Sequence, residues 1–405
     1  MRVLMLTWEY PPHIVGGMGK HVMDLAPALA DAGVEIHVLT PLLRDGAEHE
    51  QTSQGIHIHR VATPRIANDG LVAQALQANA AMEQAAHTLW EQFGEFDLIH
   101  AHDWLDASVG VALKHAWHRP LIATIHATER GRGQGYIGNN AQSEQINSME
   151  WLLSYEAWRV IACSRFMANQ IHDYFKTPLD KIDVVPNGIY AQPDPFASAA
   201  ERSAFRRRFV ADDQPLIYYV GRVVYEKGLH ILLDAWPQVL AAQPHARLLI
   251  AGVGGYLPAL RQQAHDLGID SQVIFAGFIS DEERDKLYHV ADVAAFPSLY
   301  EPFGIVALEA MVAGCPVVVA TTGGLAEVVT SHETGLMVQP NDPSALAWGI
   351  QHTLQHPDWS RVRATNALRV ARESFNWQTI ARTTADVYAR TYAAWQQSDW
   401  GVAVS

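Results

Sequence analysis

The first forty residues read MRVLMLTWEYPPHIVGGMGKHVMDLAPALADAGVEIHVLT, and this stretch decides the fold class. The apolar run at 3–7 predicts a strand, and apolar residues at helical spacing over 22–32 predict a helix that stops at Gly33. A second apolar run at 36–40 predicts another strand. Strand, helix and strand in this order form a βαβ unit, which is typical of a parallel sheet.

The same alternation extends outward along the chain. Further short apolar runs lie between helical patterns at 98–101, 121–125, 160–162 and 182–185, so the first half predicts a doubly wound parallel sheet. The plan restarts with a strand at 216–220, a loop at 221–228, a helix at 229–240 and a strand at 246–251. Strands at 273–276, 293–296 and 316–320 extend this second sheet, and a helix at 379–396 follows the last of them.

The pattern therefore predicts an α/β protein of two Rossmann-like, doubly wound parallel-sheet domains. We expect an N-terminal domain over 1–188, a C-terminal domain over 189–375, and a C-terminal helix over 376–405 that packs back on the N-terminal domain. Ligands of open parallel sheets bind beyond the carboxyl ends of the strands, so we expect an inter-domain cleft lined by such loops.

The composition limits which binding partners the chain can have. The chain has 405 residues and a net charge of −14, so no global positive field attracts nucleic acid, and an anion site must be built locally. The two cysteines, Cys163 and Cys315, lie far apart and indicate a reducing compartment, with the cytoplasm as the expected location. No membrane span is expected, because the most apolar region, 304–320, is interrupted by Glu309 and Pro316.

Two loops that follow predicted strands carry glycines. The loop GGMG at 16–19 lets backbone amides approach a phosphate or sugar, although a flexible strand-to-helix turn explains it equally well. The loop at 221–228 holds Arg222 and Lys227 between glycines. The planar guanidinium of Arg222 and the compact positive charge of Lys227 suit a diphosphate. The alternative is a solvated pair bridging Glu226.

The segment from Glu301 to Glu309 is predicted to enter an apolar helix at Pro302, with free amides at its N-terminus. If helical throughout, it separates the two carboxylates by about 12 Å, too far for a retaining glycosidase pair at about 5 Å. The spacing suits two carboxylates that accept hydrogen bonds from hydroxyls at opposite ends of one extended ligand. A structural alternative for Glu301 is a partner of the helix dipole.

Histidines end two predicted strands. His100 and His102 share a strand face, but no cysteine or acidic cluster accompanies them, so packing is favoured over a metal site. Asp103 and His126 lie just beyond strand ends and are candidates for sugar contacts. For His126, a structural role is nearly as compatible with the sequence.

Together these residues resemble the retaining GT-B glycosyltransferases of family 4, in particular the glycogen (starch) synthase branch. The resemblance spans essentially the whole chain. Its elements are E-x7-E from Glu301 to Glu309, the 221–228 loop with Arg222 and Lys227, Gly16-Gly17, His102-Asp103-Trp104, the segment 124–132, and VPNG at 185–188.

The resemblance implies an N-terminal acceptor domain, a C-terminal nucleotide-sugar donor domain, and metal-independent chemistry with no cofactor. Retention in this family is explained by front-face attack, in which the departing phosphate oxygen takes the acceptor proton. The resemblance also implies which groups contact the donor. Arg222 and Lys227 would bind the diphosphate, and Glu309 would bind the ribose hydroxyls. Glu301 and the amides of Phe303, Gly304 and Ile305 would bind the sugar hydroxyls and the distal phosphate, His126 would contact the sugar near the reacting carbon, and Gly16 with Gly17 would lie over the phosphate.

One position departs from the family. Glycogen synthases commonly carry a lysine two residues before the paired glycines, and this chain has Ile14 there. The sequence thus predicts a retaining hexosyltransferase that moves glucose from ADP- or UDP-glucose to an α-glucan or small glucosyl acceptor. Three alternatives stay open: transfer of mannose or another hexose, a nucleotide-sugar 2-epimerase of related fold, and a non-catalytic nucleotide-sugar sensor.

Overall fold

The computed structural model describes residues 1–63, 70–191 and 193–402. The chain divides into two compact units. Unit 1 comprises Met1–Gly188 together with the chain from Trp377 onward, and unit 2 comprises Ile189–Asn376.

Unit 1 is built on an eight-stranded sheet in the order β3-β4-β2-β1-β5-β6-β7-β8. Every neighbouring pair is parallel except β3 with β4, which is antiparallel. The strands are β1 (Arg2–Leu6), β2 (Glu35–Pro41), β3 (His49–Gln51), β4 (His57–Val61), β5 (Leu98–His102), β6 (Leu121–Ile125), β7 (Arg159–Ala162) and β8 (Ile182–Val184).

The helices of unit 1 connect these strands. They are α1 (Gly17–Asp31), α2 (Leu71–Phe93), α3 (Ala107–Trp117), α4 (Glu129–Arg132), α5 (Ala141–Glu156) and α6 (Arg165–Phe175). Strand β1 is buried on both faces, with Val3, Leu4, Met5 and Leu6 fully inaccessible. This explains why it is a continuous apolar run rather than an alternating one.

Unit 2 has a six-stranded sheet in the order β11-β10-β9-β12-β13-β14, parallel throughout its described pairs. Its strands are β9 (Leu216–Val220), β10 (Arg247–Ala251), β11 (Val273–Gly277), β12 (Val293–Phe296), β13 (Val317–Ala320) and β14 (Leu336–Val338). Its helices are α7 (Ala199–Arg206), α8 (Leu229–Ala242), α9 (Leu257–Asp266), α10 (Asp281–Val290), α11 (Ile305–Val312), α12 (Leu325–Val328), α13 (Pro343–Gln355) and α14 (Pro357–Ser374).

Two last helices, α15 (Trp377–Gln396) and α16 (Asp399–Val402), belong to unit 1. Helix α15 packs against α1. The Tyr388 hydroxyl lies 2.7 Å from His100 Nδ1, and Trp395 Nε1 donates to the His118 carbonyl at 2.7 Å. Side-chain hydrogen bonds thus fasten α15 within unit 1.

The prediction of two doubly wound α/β sheets is confirmed, with specific differences. The antiparallel strand β3, its partner β4 and the edge strand β14 were not predicted, because each is short or polar. Helix α1 begins at Gly17, so the glycine loop at 16–19 is mostly its first turn rather than a loop before it.

Both sheets have a point where the strand order reverses: between β1 and β5 in unit 1, and between β9 and β12 in unit 2. Loops that leave the carboxyl ends of two such strands diverge to opposite sides and open a crevice for ligands. In unit 2 these loops are 221–228 and 297–304, which hold the most specific sequence motifs. Among the described residues, no helix is both long and apolar enough to cross a membrane.

Candidate functional site

The two loops at the reversal point of unit 2 are joined through their backbones. The Glu226 carbonyl accepts hydrogen bonds from the amides of Leu299 at 2.8 Å and Tyr300 at 3.2 Å. Gly228 has φ of 68°, and a Cβ there would lie 2.0 Å from the Pro297 carbonyl oxygen. Only glycine permits both this conformation and this approach, so the loops are held in one arrangement.

A charged pair links the side chains of the same loops. Lys227 Nζ donates to Glu301 Oε2 at 2.7 Å, and their side chains are only 15% and 10% exposed. The Ser298 hydroxyl donates to the same carboxylate oxygen at 3.2 Å. The structure therefore places two predicted catalytic residues, 74 positions apart in sequence, in direct contact.

Arg222 lies on the first of these loops and is more accessible. Its side chain is 47% exposed, and its guanidinium is 3.4 Å from a Glu226 carboxylate oxygen. The predicted alternative, a solvated pair with Glu226, is thus present in this structure. An exposed pair of this kind contributes little stability, so the guanidinium is free to exchange Glu226 for a stronger anion.

The helix at this site begins later than predicted. Helix α11 starts at Ile305, after Gly304 with φ of 104°, so the prediction that it begins at Pro302 is wrong. Among the described residues, the amides of Phe303, Gly304 and Ile305 donate no backbone hydrogen bond. These amides form a partial positive charge beside Glu301.

Because Glu301 precedes α11, the separation expected between the Glu301 and Glu309 carboxylates in a continuous helix does not apply. Glu309 lies within α11 and is 9% exposed. Its Oε2 accepts from the Tyr288 hydroxyl at 3.2 Å and lies 3.8 Å from Arg284 Nε. Burial first, and then the Glu309 charge, raise the pKa of Tyr288 well above its usual value, so this hydroxyl remains a donor.

At the reversal point of unit 1, a carboxylate already occupies part of the predicted glycine site. Glu9 Oε2 accepts from the amides of Val15 at 2.8 Å and Gly16 at 2.9 Å. A Cβ at Gly19 would lie 2.7 Å from the same oxygen. The Gly16 amide is therefore engaged by Glu9 in this structure, and its expected contact with a phosphate stays a prediction. The Gly17 amide at the start of α1 makes no backbone hydrogen bond among the described residues.

Asp103 adopts a conformation rare for a non-glycine residue, with φ of 61°. Its carboxylate is buried, and Oδ1 accepts from the His126 backbone amide at 2.6 Å. Burial raises the pKa of Asp103 to about 6, against the opposing effect of this hydrogen bond. The Asp103 carboxylate thus fixes the backbone at His126 in this structure, and the direct sugar contact of Asp103 stays a prediction.

The histidines at 100 and 102 differ in their partners. His100 uses both ring nitrogens, with Tyr388 on one side and the Thr124 hydroxyl at 2.7 Å on the other. His102 Nδ1 lies 3.1 Å from His126 Nε2. The favoured interpretation of packing holds for His100, whereas His102 belongs with His126.

Unit 2 carries seven of the predicted residues: Arg222, Lys227, Glu301, Phe303, Gly304, Ile305 and Glu309. Of their side chains, the structure brings Lys227 and Glu301 into direct contact. Unit 1 carries the other four: Gly16, Gly17, Asp103 and His126. Sequence reasoning missed the side chains that hold these groups. They are Ser298, Arg284 and Tyr288 in unit 2, and Glu9 in unit 1. Also missed were His21, whose ring packs edge-on against His126, and its partner Asn187.

Only Asn187 carried a sequence signal, as part of the V-P-N-G segment at 185–188. Its Oδ1 lies 2.6 Å from His21 Nδ1. Arg284 and Tyr288 lie on α10, whose sequence shows only a charged helix.

Comparisons with known proteins identify the family. Residues 15–192 match the model of Glycosyltransferase Family 4, and residues 201–369 match that of Glycosyl transferases group 1. The chain is 38% identical to an uncharacterized glycosyltransferase of Methanocaldococcus jannaschii over 390 residues, covering 96% of this chain and 98% of the relative. The chain belongs to the GT-B glycosyltransferases of group 1 and family 4.

Two further relatives of this glycosyltransferase differ in their named activities. A glycogen synthase of Mycobacterium tuberculosis is 37% identical over 401 residues, covering 96% of this chain and 94% of the relative. A D-inositol 3-phosphate glycosyltransferase of Xylanimonas cellulosilytica is 31% identical over 393 residues, with coverage of 93% and 92%.

Solved structures show the same architecture. Sucrose-phosphate synthase of Thermosynechococcus elongatus has a TM-score of 0.81 at 26% identity, covering 97% of this chain and 99% of that one. Anabaena HepE in complex with UDP-glucose has a TM-score of 0.78 at 25% identity, with coverage of 96% and 100%. The predicted resemblance to GT-B glycosyltransferases is confirmed.

Proposed function

We propose that this glycosyltransferase moves a hexose, glucose in the first instance, from a nucleoside-diphosphate sugar to an α-glucan or small glucosyl acceptor with retention of configuration. The observation that carries the proposal is the Lys227–Glu301 pair at the reversal point of unit 2, next to the amides of Phe303, Gly304 and Ile305, which donate no backbone hydrogen bond within the described part of the chain. It places a cation, a carboxylate and three amide donors around one loop junction.

The cations and amides suit the diphosphate. Lys227 and Arg222 supply two positive charges in a chain of net charge −14, and the amides at the start of α11 add a partial positive charge. In this proposal they stabilise the charge that develops on the leaving nucleotide. These groups would take the part that a divalent ion takes in other transferases, so the reaction requires no metal or other cofactor.

The carboxylates suit hydroxyl groups. Glu301 Oε2 is engaged by Lys227 and Ser298, which fix the carboxylate for contact with the hydroxyls of the transferred sugar. Glu309 would accept from the ribose hydroxyls while Arg284 and Tyr288 hold it in place. For unit 1 the proposal keeps the implied sugar contact of His126 and the phosphate approach of Gly17.

Retention follows from front-face attack. The acceptor oxygen forms a bond to the anomeric carbon on the face from which the phosphate departs. The bond between that carbon and the phosphate oxygen breaks, and the departing oxygen takes the acceptor proton. Each transfer therefore releases one nucleoside diphosphate and one elongated acceptor.

Named relatives support glucose as the sugar: the M. tuberculosis relative is a glycogen synthase, and the HepE structure holds UDP-glucose. The 31% identical D-inositol 3-phosphate glycosyltransferase supports a second candidate, transfer to a small phosphorylated polyol. The proposal places the reaction in the cytoplasm, where Cys163 and Cys315, both buried and outside any disulfide, stay reduced.

The test is a donor and acceptor panel. ADP-, UDP- and GDP-glucose and GDP-mannose are each incubated with maltooligosaccharide, with D-inositol 3-phosphate, or with no acceptor, in buffer containing EDTA. Nucleotide release and the anomeric configuration of the product are followed by NMR. We expect release that depends on maltooligosaccharide, with an α-linked product.

Other outcomes discriminate the alternatives. Transfer only to D-inositol 3-phosphate selects the second candidate, and release of a 2-epimeric sugar without acceptor selects an epimerase. Inversion, a strict need for a divalent ion, or no release from any donor refutes the proposal.

A further inference from the structure

Three imidazoles converge at the carboxyl edge of the sheet in unit 1. His21 comes from the first turns of α1, His102 ends β5, and His126 follows β6. One ring nitrogen of each lies within 4.8 Å of the others, and His102 Nδ1 is 3.1 Å from His126 Nε2. Three separate elements of the fold thus place an imidazole at one point.

Two of these rings carry a buried nitrogen without a hydrogen bond. In the part of the chain that the structure describes, neither His21 Nε2 nor His102 Nε2 has a partner. The residues are 3% and 0% exposed, so water does not readily serve them. An unsatisfied buried polar atom destabilises the fold, and an ion bound to His21 Nε2 would remove that cost at His21.

The state of His21 is set by its neighbour. His21 Nδ1 lies 2.6 Å from Asn187 Oδ1, and this oxygen only accepts, so the proton of a neutral His21 is on Nδ1. Nε2 then carries a lone pair. Metal-binding histidines typically donate their other ring nitrogen to such an outer acceptor, which fixes tautomer and orientation.

We propose that His21, His102 and His126 bind one divalent transition ion, with Zn²⁺ as the representative. Zinc–nitrogen bonds of about 2.0–2.1 Å place tetrahedral ligand nitrogens about 3.4 Å apart. His102 Nδ1 and His126 Nε2 lie 3.1 Å apart, near this separation, so these two atoms would be ligands and His102 Nε2 would carry the proton of its ring. His21, whose ligand atom lies within 4.8 Å of the other two, would reach the ion by a side-chain shift. The fourth position is left for water, since His126 is partly exposed.

Three imidazole ligands predict selectivity among metal ions. Imidazole suits zinc, copper and nickel, whereas magnesium and calcium require oxygen ligands. A bound ion would occupy the His126 imidazole that we propose contacts the sugar, so ion and sugar would compete for it. This last consequence rests on the proposed function, but binding of the ion itself does not.

The test uses the untagged full chain, treated with chelator and then dialysed, and titrated with ZnCl₂ by calorimetry at pH 7.5 without substrate. We expect one ion bound per chain, and no binding of MgCl₂. His21→Asn retains a donor toward Asn187 but removes the Nε2 ligand, and should weaken zinc binding by at least about tenfold. Asn187→Ala removes only the outer acceptor and should weaken it by about 10–100-fold.

The matched control is His49→Gln, in the separate histidine group formed by His37, His49, His57 and His59 on β2, β3 and β4. We expect unchanged zinc affinity there. Circular dichroism verifies that each variant is folded, and the visible spectrum of the Co²⁺-loaded wild-type chain reports low-coordinate nitrogen ligation independently of any variant. Wild-type chain that binds no zinc, or affinity lost in His49→Gln but kept in His21→Asn, overturns the proposal.

Discussion

Lys227 Nζ lies 2.7 Å from Glu301 Oε2, and this pair closes the junction between the loop after β9 and the loop before α11. Each partner neutralises the other in a setting where both side chains are at most 15% exposed. In the proposed function, the carboxylate beside the ammonium limits how strongly a phosphate is held before reaction. Replacing either partner should therefore change both donor binding and the local fold.

Replacing Lys227 tests the effect of the pair on the donor. We expect Lys227→Ala to lower kcat by about 10²–10³, because it removes a cation that meets charge developing on the leaving nucleotide. Steady-state rates of nucleotide release measure this. The control is Lys286→Ala on α10, whose ammonium pairs with the exposed Glu282 at 2.7 Å and should leave kcat unchanged. A Lys227→Ala variant with wild-type kcat contradicts the assignment.

Arg222 is the more exposed cation, so its removal should affect the donor and not the fold. We expect Arg222→Ala to lower kcat/KM by at least about tenfold, while the thermal midpoint stays within experimental error. Arg222→Lys should recover only part of the loss, because an ammonium cannot form the paired hydrogen bonds of a guanidinium. Full activity in Arg222→Ala would contradict a role of Arg222 in binding the diphosphate.

The sequence predicted these two cations and the loop that carries them because a strand, a glycine-bounded loop and a helix follow one another locally. It also predicted Glu301, since the E-x7-E spacing is a short-range pattern. The start of α11 was misplaced because Gly304, with φ of 104°, ends the preceding turn after Pro302. Proline favours a first helical position, but the local pattern does not show which residue adopts the left-handed conformation.

The supporting side chains were not predictable in the same way. Tyr288 and Arg284 contact Glu309 across about twenty residues, and Asn187 reaches His21 across 166 positions. Such contacts depend on how strands are ordered in the sheet. Neither spacing nor composition encodes them, so a single sequence leaves them undetermined.

The charge of Glu309 and the hydrogen bond that Tyr288 donates to it can be tested by separate substitutions. We expect Glu309→Gln to weaken nucleotide-sugar binding by about tenfold, equivalent to about 1.4 kcal/mol, with a smaller effect on turnover of the bound complex. Tyr288→Phe removes the hydroxyl that lies 3.2 Å from Glu309 Oε2 and 3.1 Å from the Val306 carbonyl, and should shift affinity in the same direction but less. Calorimetry with the active donor measures both, and unchanged affinity in Glu309→Gln excludes the ribose contact.

Asp103 should act through the backbone of His126. Asp103→Ala removes the acceptor at 2.6 Å, and we expect it to cost about 1–3 kcal/mol of stability and to lower kcat more than it raises KM. Asp103→Asn keeps an acceptor oxygen and tolerates φ of 61°, so it should restore most of both. If Asn is as damaging as Ala, the negative charge itself is needed and the positioning role is wrong.

Glu150 on α5 should make the stability of unit 1 depend on pH. It is 1% exposed; its Oε1 accepts from the Glu129 amide at 2.8 Å, and burial raises its pKa to about 8. In the unfolded chain this carboxyl ionises near pH 4.5, whereas in the folded chain it holds its proton up to about pH 8. Between these values the unfolded state binds fewer protons, so the free energy of unfolding falls as pH rises.

Glu150→Gln resembles the protonated form at every pH and keeps the acceptor for the Glu129 amide. We therefore expect it to match wild type at pH 4.5 and to exceed it by about 2–4 kcal/mol at pH 8, measured by urea unfolding at both values. Glu144→Gln, on the exposed face of the same helix, should follow wild type throughout. A constant difference between Glu150→Gln and wild type at the two pH values would show that the Glu150 carboxyl is ionised in the folded protein.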